Sequence, residues 1–250
     1  MIVHPDCIIL ENAQAVAREA AERVLNLVAM AAQEKGAFHL VLSGGSTPKR
    51  LYEILAQSNI SWNHVHFFWG DERCVGPDHI DSNYKMAYDT LLSKINVNAS
   101  HIHRLRGEIA PEIAALHYEQ TIRSVFGLTG LTPDDPVMPA FDLVLLGMGA
   151  DGHTASLFPE TEALKECTRW VTANFVPKLA GYRLTLTPAI LNGAEKVFFL
   201  VAGSDKAKTL KNVLEGPYHP DLLPSQLLHS ATGRVTWIVD EAASECLGGI

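Results

Sequence analysis

A single-domain α/β architecture, with a mostly parallel sheet flanked by helices on both faces, is the arrangement to expect from this chain. Three observations carry it. Short, largely apolar runs at residues 38–42, 64–70, 141–146 and 196–202 read as strands buried on both faces. Segments with helical periodicity separate several of them. The order strand, glycine turn, helix start occurs at residues 38–52 and again at 196–214, as a βα repeat of Rossmann-like type requires. At 250 residues, 47% of them hydrophobic, one domain can bury its core without disulfides or metal.

In chain order, residues 2–10 suit a short strand that Pro5 demotes to an edge. Over 12–33, Val16, Ala20, Val24, Leu27 and Ala31 share one helical face, and the helix ends near Gly36. Strand 38–42 runs into Ser43, Gly44, Gly45, Ser46, Thr47 and Pro48, followed by the helical segment KRLYEILAQ with proline near its first position. Strand 64–70 leads to Asp71, Glu72 and Arg73, and Ser82 and Asn83 are placed to cap a helix over 84–93. A helix over 110–126 ends at Gly127, and the proline-rich stretch 128–139 is a surface excursion. Strand 141–146 feeds a glycine-rich loop, 147–159. Beyond the acids Glu160, Glu162 and Glu166, strands are expected at 169–175 and 182–187. Strand 196–202 ends at Gly203, with a helix to about residue 214, and strand 234–239 is closed by Asp240 and a short tail.

Composition narrows the function. Cys7, Cys74, Cys167 and Cys246 lie far apart with no C-x-x-C pair, which argues against a zinc ribbon or redox pair and suggests a reducing compartment. The N-terminal residues lack a secretory pattern, and no apolar run reaches the roughly 20 residues that span a bilayer, so a cytoplasmic location is expected. A net charge of −8 with scattered basic residues disfavours nucleic-acid and membrane partners and fixes no oligomeric state. An anionic ligand would have to be held by a local pocket.

The junction at 43–48 offers such a pocket, because a glycine turn opening a helix aims several N–H groups and the positive end of the helix dipole at one point. It lacks P-loop spacing. The same residues also read as a tight turn with Ser or Thr capping the helix, and both readings stand. Asp71, Glu72 and Arg73 at a strand end are either functional or a solvated loop with an internal salt bridge. Arg183 faces opposite to Leu184 and Leu186 if its strand alternates, as a ligand contact or an edge charge. Lys206 sits in a first helical turn, against the dipole, a conflict that a bound anion would remove. His64-x-His66 and His101-x-His103 would each present two imidazoles on one strand face, yet no Cys or Glu stands at a completing spacing, so no metal site is expected.

The loop at 147–159 spells G-x-G-x-x-G. A dinucleotide site would need a long helix after the third glycine, and Pro159 would break it at once. What remains is Asp151 and His153 displayed beside a strand end. An imidazole of reference pKa about 6.5 suits a general base at neutral pH, and a carboxylate beside it can fix its tautomer.

Taken together, Leu42 through Pro48, Trp69-Gly70-Asp71-Glu72-Arg73, Ser82-Asn83, Leu146 through Pro159, Arg183-Leu184-Thr185 and Gly203 with Lys206-Ala207 resemble the 6-phosphogluconolactonase family, within the glucosamine/galactosamine-6-phosphate isomerase superfamily. The resemblance implies hydrolysis of 6-phospho-D-glucono-1,5-lactone in the oxidative pentose phosphate pathway, on a sugar-phosphate substrate and with no metal or organic cofactor. It makes His153 the base and Asp151 its orienting acid. Ser43, Gly44, Gly45, Ser46 and Thr47 would hold phosphate with Arg183 and Lys206, Arg73 would contact phosphate or the sugar ring, and Asp71 would hold Arg73 or a sugar hydroxyl. A glycine loop would supply N–H groups to the developing oxyanion. The related deaminases continue from D-G-H into an F-N-E-P type sequence, and here Phe158 stands where that glutamate would be.

Overall fold

The computed structural model describes residues 7–130, 137–228 and 234–248. Pro5 and the middle of the 128–139 excursion therefore lie outside the described residues. In chain order the strands are β1 (Cys7–Leu10), β2 (Phe38–Leu42), β3 (Val65–Trp69), β4 (Asp71–Arg73), β5 (Leu143–Leu146), β6 (Val171–Val176), β7 (Gly181–Leu186), β8 (Val197–Val201) and β9 (Val235–Asp240). The helices are α1 (Ala13–Glu34), α2 (Ser46–Leu55), α3 (Asn83–Ala87), α4 (Pro111–Val125), α5 (Pro188–Asn192), α6 (Ala207–Glu215) and α7 (Glu241–Ser244). Among the described residues no helix is long and apolar enough to cross a membrane.

Six strands form one parallel sheet in the order β1-β9-β8-β5-β2-β3, with β1 at an edge as expected. Helices flank it, and α1 and α2 pack on each other, α1 also against β8 and β9. The Asn12 side chain starts α1 by accepting the N–H groups of Gln14 and Ala15, and Gly36, at φ +73°, ends it. From β2 the chain steps outward to β3, then returns to place β5 on the other side of β2. This reversal opens a crevice at the carboxyl ends of β2 and β5, where open α/β sheets bind ligands. The loops 43–48 and 147–159 leave the sheet there.

The arrangement departs from expectation in a second sheet. Asp71–Arg73 is neither a solvated loop nor an internal salt bridge: it is strand β4, antiparallel to β7, which pairs in turn with β6. A single glycine, Gly70, separates β3 from β4, and its carbonyl accepts the N–H of Leu186. Glu72, 2% exposed, accepts hydrogen bonds from the N–H groups of Arg73, Asn83 and Tyr84 and from Ser82 Oγ. It thereby anchors the start of α3, which Ser82 caps at the N–H of Lys85 as expected. Helix α3 continues as a π-helical turn over Tyr88–Leu92.

Two buried tyrosines pin the strand ends that carry the crevice. The Tyr52 hydroxyl accepts the N–H of Ser43 and donates to its carbonyl, and Tyr118 does the same at Trp69. Each clamp satisfies both backbone groups of a residue where ladder pairing stops.

The histidine pairs serve packing at the opposite ends of the strands. His101 and His103 are not on a strand; His101 closes the short 3₁₀ turn Ala99–His101. His66 stacks on His101 with centroids 3.9 Å apart, and its Nδ1 lies 3.0 Å from His103 Nε2. Burial, reinforced by neighbouring imidazoles, pushes both His66 and His103 down to about 4. Their folded values lie below the ordinary 6.5, so between pH 6.5 and 4 the unfolded chain binds more protons. Stability is then full above pH 6.5 and declines as pH falls through this window. With both rings partly exposed, we expect a loss on the order of 1–2 kcal/mol. Urea melts at pH 7.5 and 5 should show that loss shrinking in His66→Gln; an unchanged pH dependence would refute the assignment.

Candidate active site

The crevice is a cleft of about 520 Å³ whose walls include Ser43, Gly44, Gly45, Ser46, Thr47, Asp71, Arg73, His153, Arg183 and Lys206. Asp151 stands behind His153 rather than on the wall. The structure thus brings the residues singled out in the sequence to one place.

The floor on the β2 side is the 43–48 turn. Helix α2 begins at Ser46, three residues before the expected KRLYEILAQ segment, with Gly45 as its N-cap at φ +108°. Neither Ser nor Thr makes a side-chain cap there, which removes the capping alternative. The N–H groups of Ser46 and Thr47 belong to the first turn, where no intrahelical acceptor exists. On the same wall Ser43 Oγ is buried and, among the described residues, has no hydrogen-bond partner. Gly44 has to be glycine, since a Cβ there would collide with the Asn83 side chain.

Opposite lie the cations. In the β4–β7 pairing Arg73 sits directly across from Arg183. Like charges facing across antiparallel strands repel, and among the described residues neither guanidinium has a carboxylate within 4.0 Å. Arg73 donates instead to the Asp81 carbonyl and Arg183 to the Tyr182 carbonyl. Asp71 does not hold Arg73. Lys206, at the end of the turn Ser204–Lys206, is paired with the exposed Asp205 at 2.6 Å. That turn leaves Gly203 at φ +105°, with its N–H on Asp240, which also caps α7.

On the third side, the loop after β5 holds the imidazole. His153 Nδ1 lies 2.5 Å from Asp151 Oδ1, and the His153 N–H also reaches that oxygen. A carboxylate only accepts, so Nδ1 carries the proton, and in the neutral ring Nε2 is the nitrogen that has the lone pair. Burial alone would raise Asp151, but hydrogen bonds from His153 and Lys178 outweigh it and hold the carboxyl well below the usual range. The ring stacks on Phe158, with centroids 4.2 Å apart. No helix follows Gly152; at φ +81° it turns the chain back, and its carbonyl takes both the N–H and the hydroxyl of Ser225. The N–H groups of Gly149 and Gly152 are committed to the His153 and Gly149 carbonyls, so they cannot serve an oxyanion.

Gly149 is required for another reason. A Cβ at this position would meet the His153 ring and the Asp151 carboxyl. Gly149→Ala should therefore fold but displace the pair, with turnover falling at least about 100-fold. Steady-state kinetics beside a thermal melt would show it, and wild-type turnover would contradict the geometry.

Lys178, Asn83 and Ser156 also line the cleft and were not singled out as ligand or catalytic groups. Lys178 lies in the short turn Pro177–Leu179 between β6 and β7, ion-paired with Asp151 and 4.8 Å above the Phe158 ring. Its only sequence signal is a proline turn between two strands.

With this geometry in hand, comparison with known proteins is direct. Residues 11–237 match the family described as glucosamine-6-phosphate isomerases/6-phosphogluconolactonase. The 6-phosphogluconolactonase of a Nostoc species is 39% identical over 236 residues, covering 94% of this chain and 95% of that protein. That of a Synechocystis species is 38% identical, covering 97% and 98%. Among solved structures, 6-phosphogluconolactonase from Trypanosoma cruzi superposes with a TM-score of 0.87 at 29% identity, covering 100% of this chain and 99% of that one. A monomeric glucosamine-6-phosphate deaminase, at 23% identity and a TM-score of 0.78, shares the fold. The chain belongs to the glucosamine-6-phosphate isomerase/6-phosphogluconolactonase family.

Proposed function

We propose that the protein hydrolyses 6-phospho-D-glucono-1,5-lactone to 6-phosphogluconate, the lactone-opening step of the oxidative pentose phosphate pathway, with His153 as general base. The observation that carries this reading is an imidazole on the cleft wall whose Nδ1 is held by Asp151, so that Nε2 is the ring nitrogen left for a ligand. In the reaction, His153 Nε2 takes a proton from water as the water oxygen attacks C1. The tetrahedral intermediate collapses with cleavage of the bond from C1 to the ring oxygen, which receives the proton from His153. Asp151 stabilises the imidazolium formed between the two transfers. A lactone is an activated ester, so no serine nucleophile is needed.

The 6-phosphate is assigned to the N–H groups at 44–47, the unpartnered Ser43 hydroxyl and the charges of Arg183 and Lys206. An anion there relieves the repulsion between Arg73 and Arg183 and takes Lys206 from its exposed partner. Arg73 and Asp71 are left for phosphate edge and sugar. Phe158, packed on the imidazole, supplies no carboxylate at the position where the deaminase-type sequence has its glutamate. The four unpaired cysteines fit a reducing, cytoplasmic setting. The test is to offer fresh lactone and glucosamine 6-phosphate in parallel. Acid release from the first without ammonia from the second is expected; ammonia release would overturn the assignment.

A further inference from the structure

Asp71 is a carboxylate only 8% exposed, and among the described residues no Lys or Arg lies within ion-pair distance of it. Two side chains hold it. Ser156 Oγ donates to Oδ2 at 2.7 Å, and Asn83 Nδ2 donates to Oδ1 at 3.2 Å and to the Asp71 carbonyl at 3.0 Å. A carboxylate has about four lone-pair sites, so two donors leave accepting capacity, and Asp71 lines the cleft.

Ser156 is itself built in. It is 1% exposed, its N–H reaches Thr185 Oγ1 at 3.3 Å, and its carbonyl accepts Asn174 Nδ2 at 2.9 Å. Ala155 before it is left-handed at φ +46°, a conformation alanine adopts only at a cost, inside a tight turn closed by the bridge between Thr154 and Leu157. This turn presents the Ser156 hydroxyl to a strand of the other sheet, 85 residues away in the chain. The contact ties the His153 loop to β4, and so sets the imidazole against the opposite cleft wall.

We propose that Ser156 is a positioning residue: with Asn83 it fixes Asp71 in one orientation, so that the remaining lone pairs accept a hydrogen bond from a ring hydroxyl of the sugar lactone. The inference rests on the lactonase reading above. Asp71 then selects a polyhydroxylated ring over a deoxy counterpart, and Ser156 acts through it without touching substrate.

The full-length protein is assayed on the lactone and on analogues lacking the hydroxyl at C2, C3 or C4. Wild type should disfavour one analogue by about 10- to 100-fold in kcat/KM. Asp71→Asn should erase that preference while retaining the others. Ser156→Ala should narrow it about 3- to 10-fold, chiefly through KM, and Ser156→Thr, which keeps the hydroxyl, should restore it. Equal losses on all four substrates would reduce Ser156 and Asp71 to structural roles and overturn the proposal, as would a wild type indifferent to every deletion. If Asp71→Asn does not fold, the Ser156 pair decides alone. A wild type that opens none of the lactones fails at the earlier step, the proposed function itself.

Discussion

Replacing His153 with alanine is expected to lower kcat on the lactone by about 10²- to 10⁴-fold, with affinity for 6-phosphogluconate within a few-fold of wild type. The asymmetry follows from the layout. The imidazole supplies proton transfer, while the groups assigned to phosphate lie on the loop after β2, on α2, on β7 and on the turn before α6. Asp151→Asn should fall by about 10²-fold, because an amide still accepts from Nδ1 but does not balance the imidazolium. Since His153 and Lys178 hold Asp151 below the usual carboxylate range against the effect of burial, it stays ionised through mild acid. It should therefore contribute no limb to a pH–rate profile between pH 5 and 8. Initial rates, with binding of the product followed by calorimetry, check both statements. Wild-type kcat in His153→Ala would remove the base from the mechanism.

The largest stability effect is expected at Glu72. Truncation to alanine leaves the N–H groups of Arg73, Asn83 and Tyr84 and the Ser82 hydroxyl without their acceptor in a buried place. Burial raises the Glu72 carboxyl, and these same four donors pull it back, so they are what makes its presence tolerable. The loss should be about 3 kcal/mol or more, roughly 6–12 °C in Tm for a chain of this size. Glu53→Ala, on the exposed side of α2, should change stability by less than about 0.5 kcal/mol. Because the amide of Asn83 reaches Asp71 and packs on Gly44, the Glu72 variant should also lose activity below its melting point. Equal melting of the two variants would show that α3 holds its place without the carboxylate.

Much of this molecule is legible in its sequence because the parallel sheet is built of local signals. Runs buried on both faces declare β2, β3, β5 and β8, and the glycines after them mark where a backbone must turn sharply. Asp151 and His153 stand out because a charged and a titratable side chain follow a buried strand with glycines on either side. The second sheet is not legible in the same way. Strand β4 is three polar residues long, and its partner β7 lies more than a hundred residues on, so no periodicity announces the pairing that sets Arg73 opposite Arg183. Glu72 reads as a surface charge until the N–H groups at 83 and 84 fold onto it. Lys178, Ser156 and Asn83 join the cleft only through contacts between distant segments. The fate of the Gly149 and Gly152 N–H groups likewise depends on a turn closing on itself, which composition permits and does not dictate.

The central claim is that the Asp151–His153 pair activates water against a sugar-phosphate lactone. The most direct measurement is acid release from freshly generated 6-phosphogluconolactone, followed continuously against spontaneous opening, with wild type and a folded His153→Gln in the same preparation. A large excess rate for wild type, reduced at least about 100-fold in the variant, is predicted. An excess rate that survives the substitution, or none in wild type, would contradict the account.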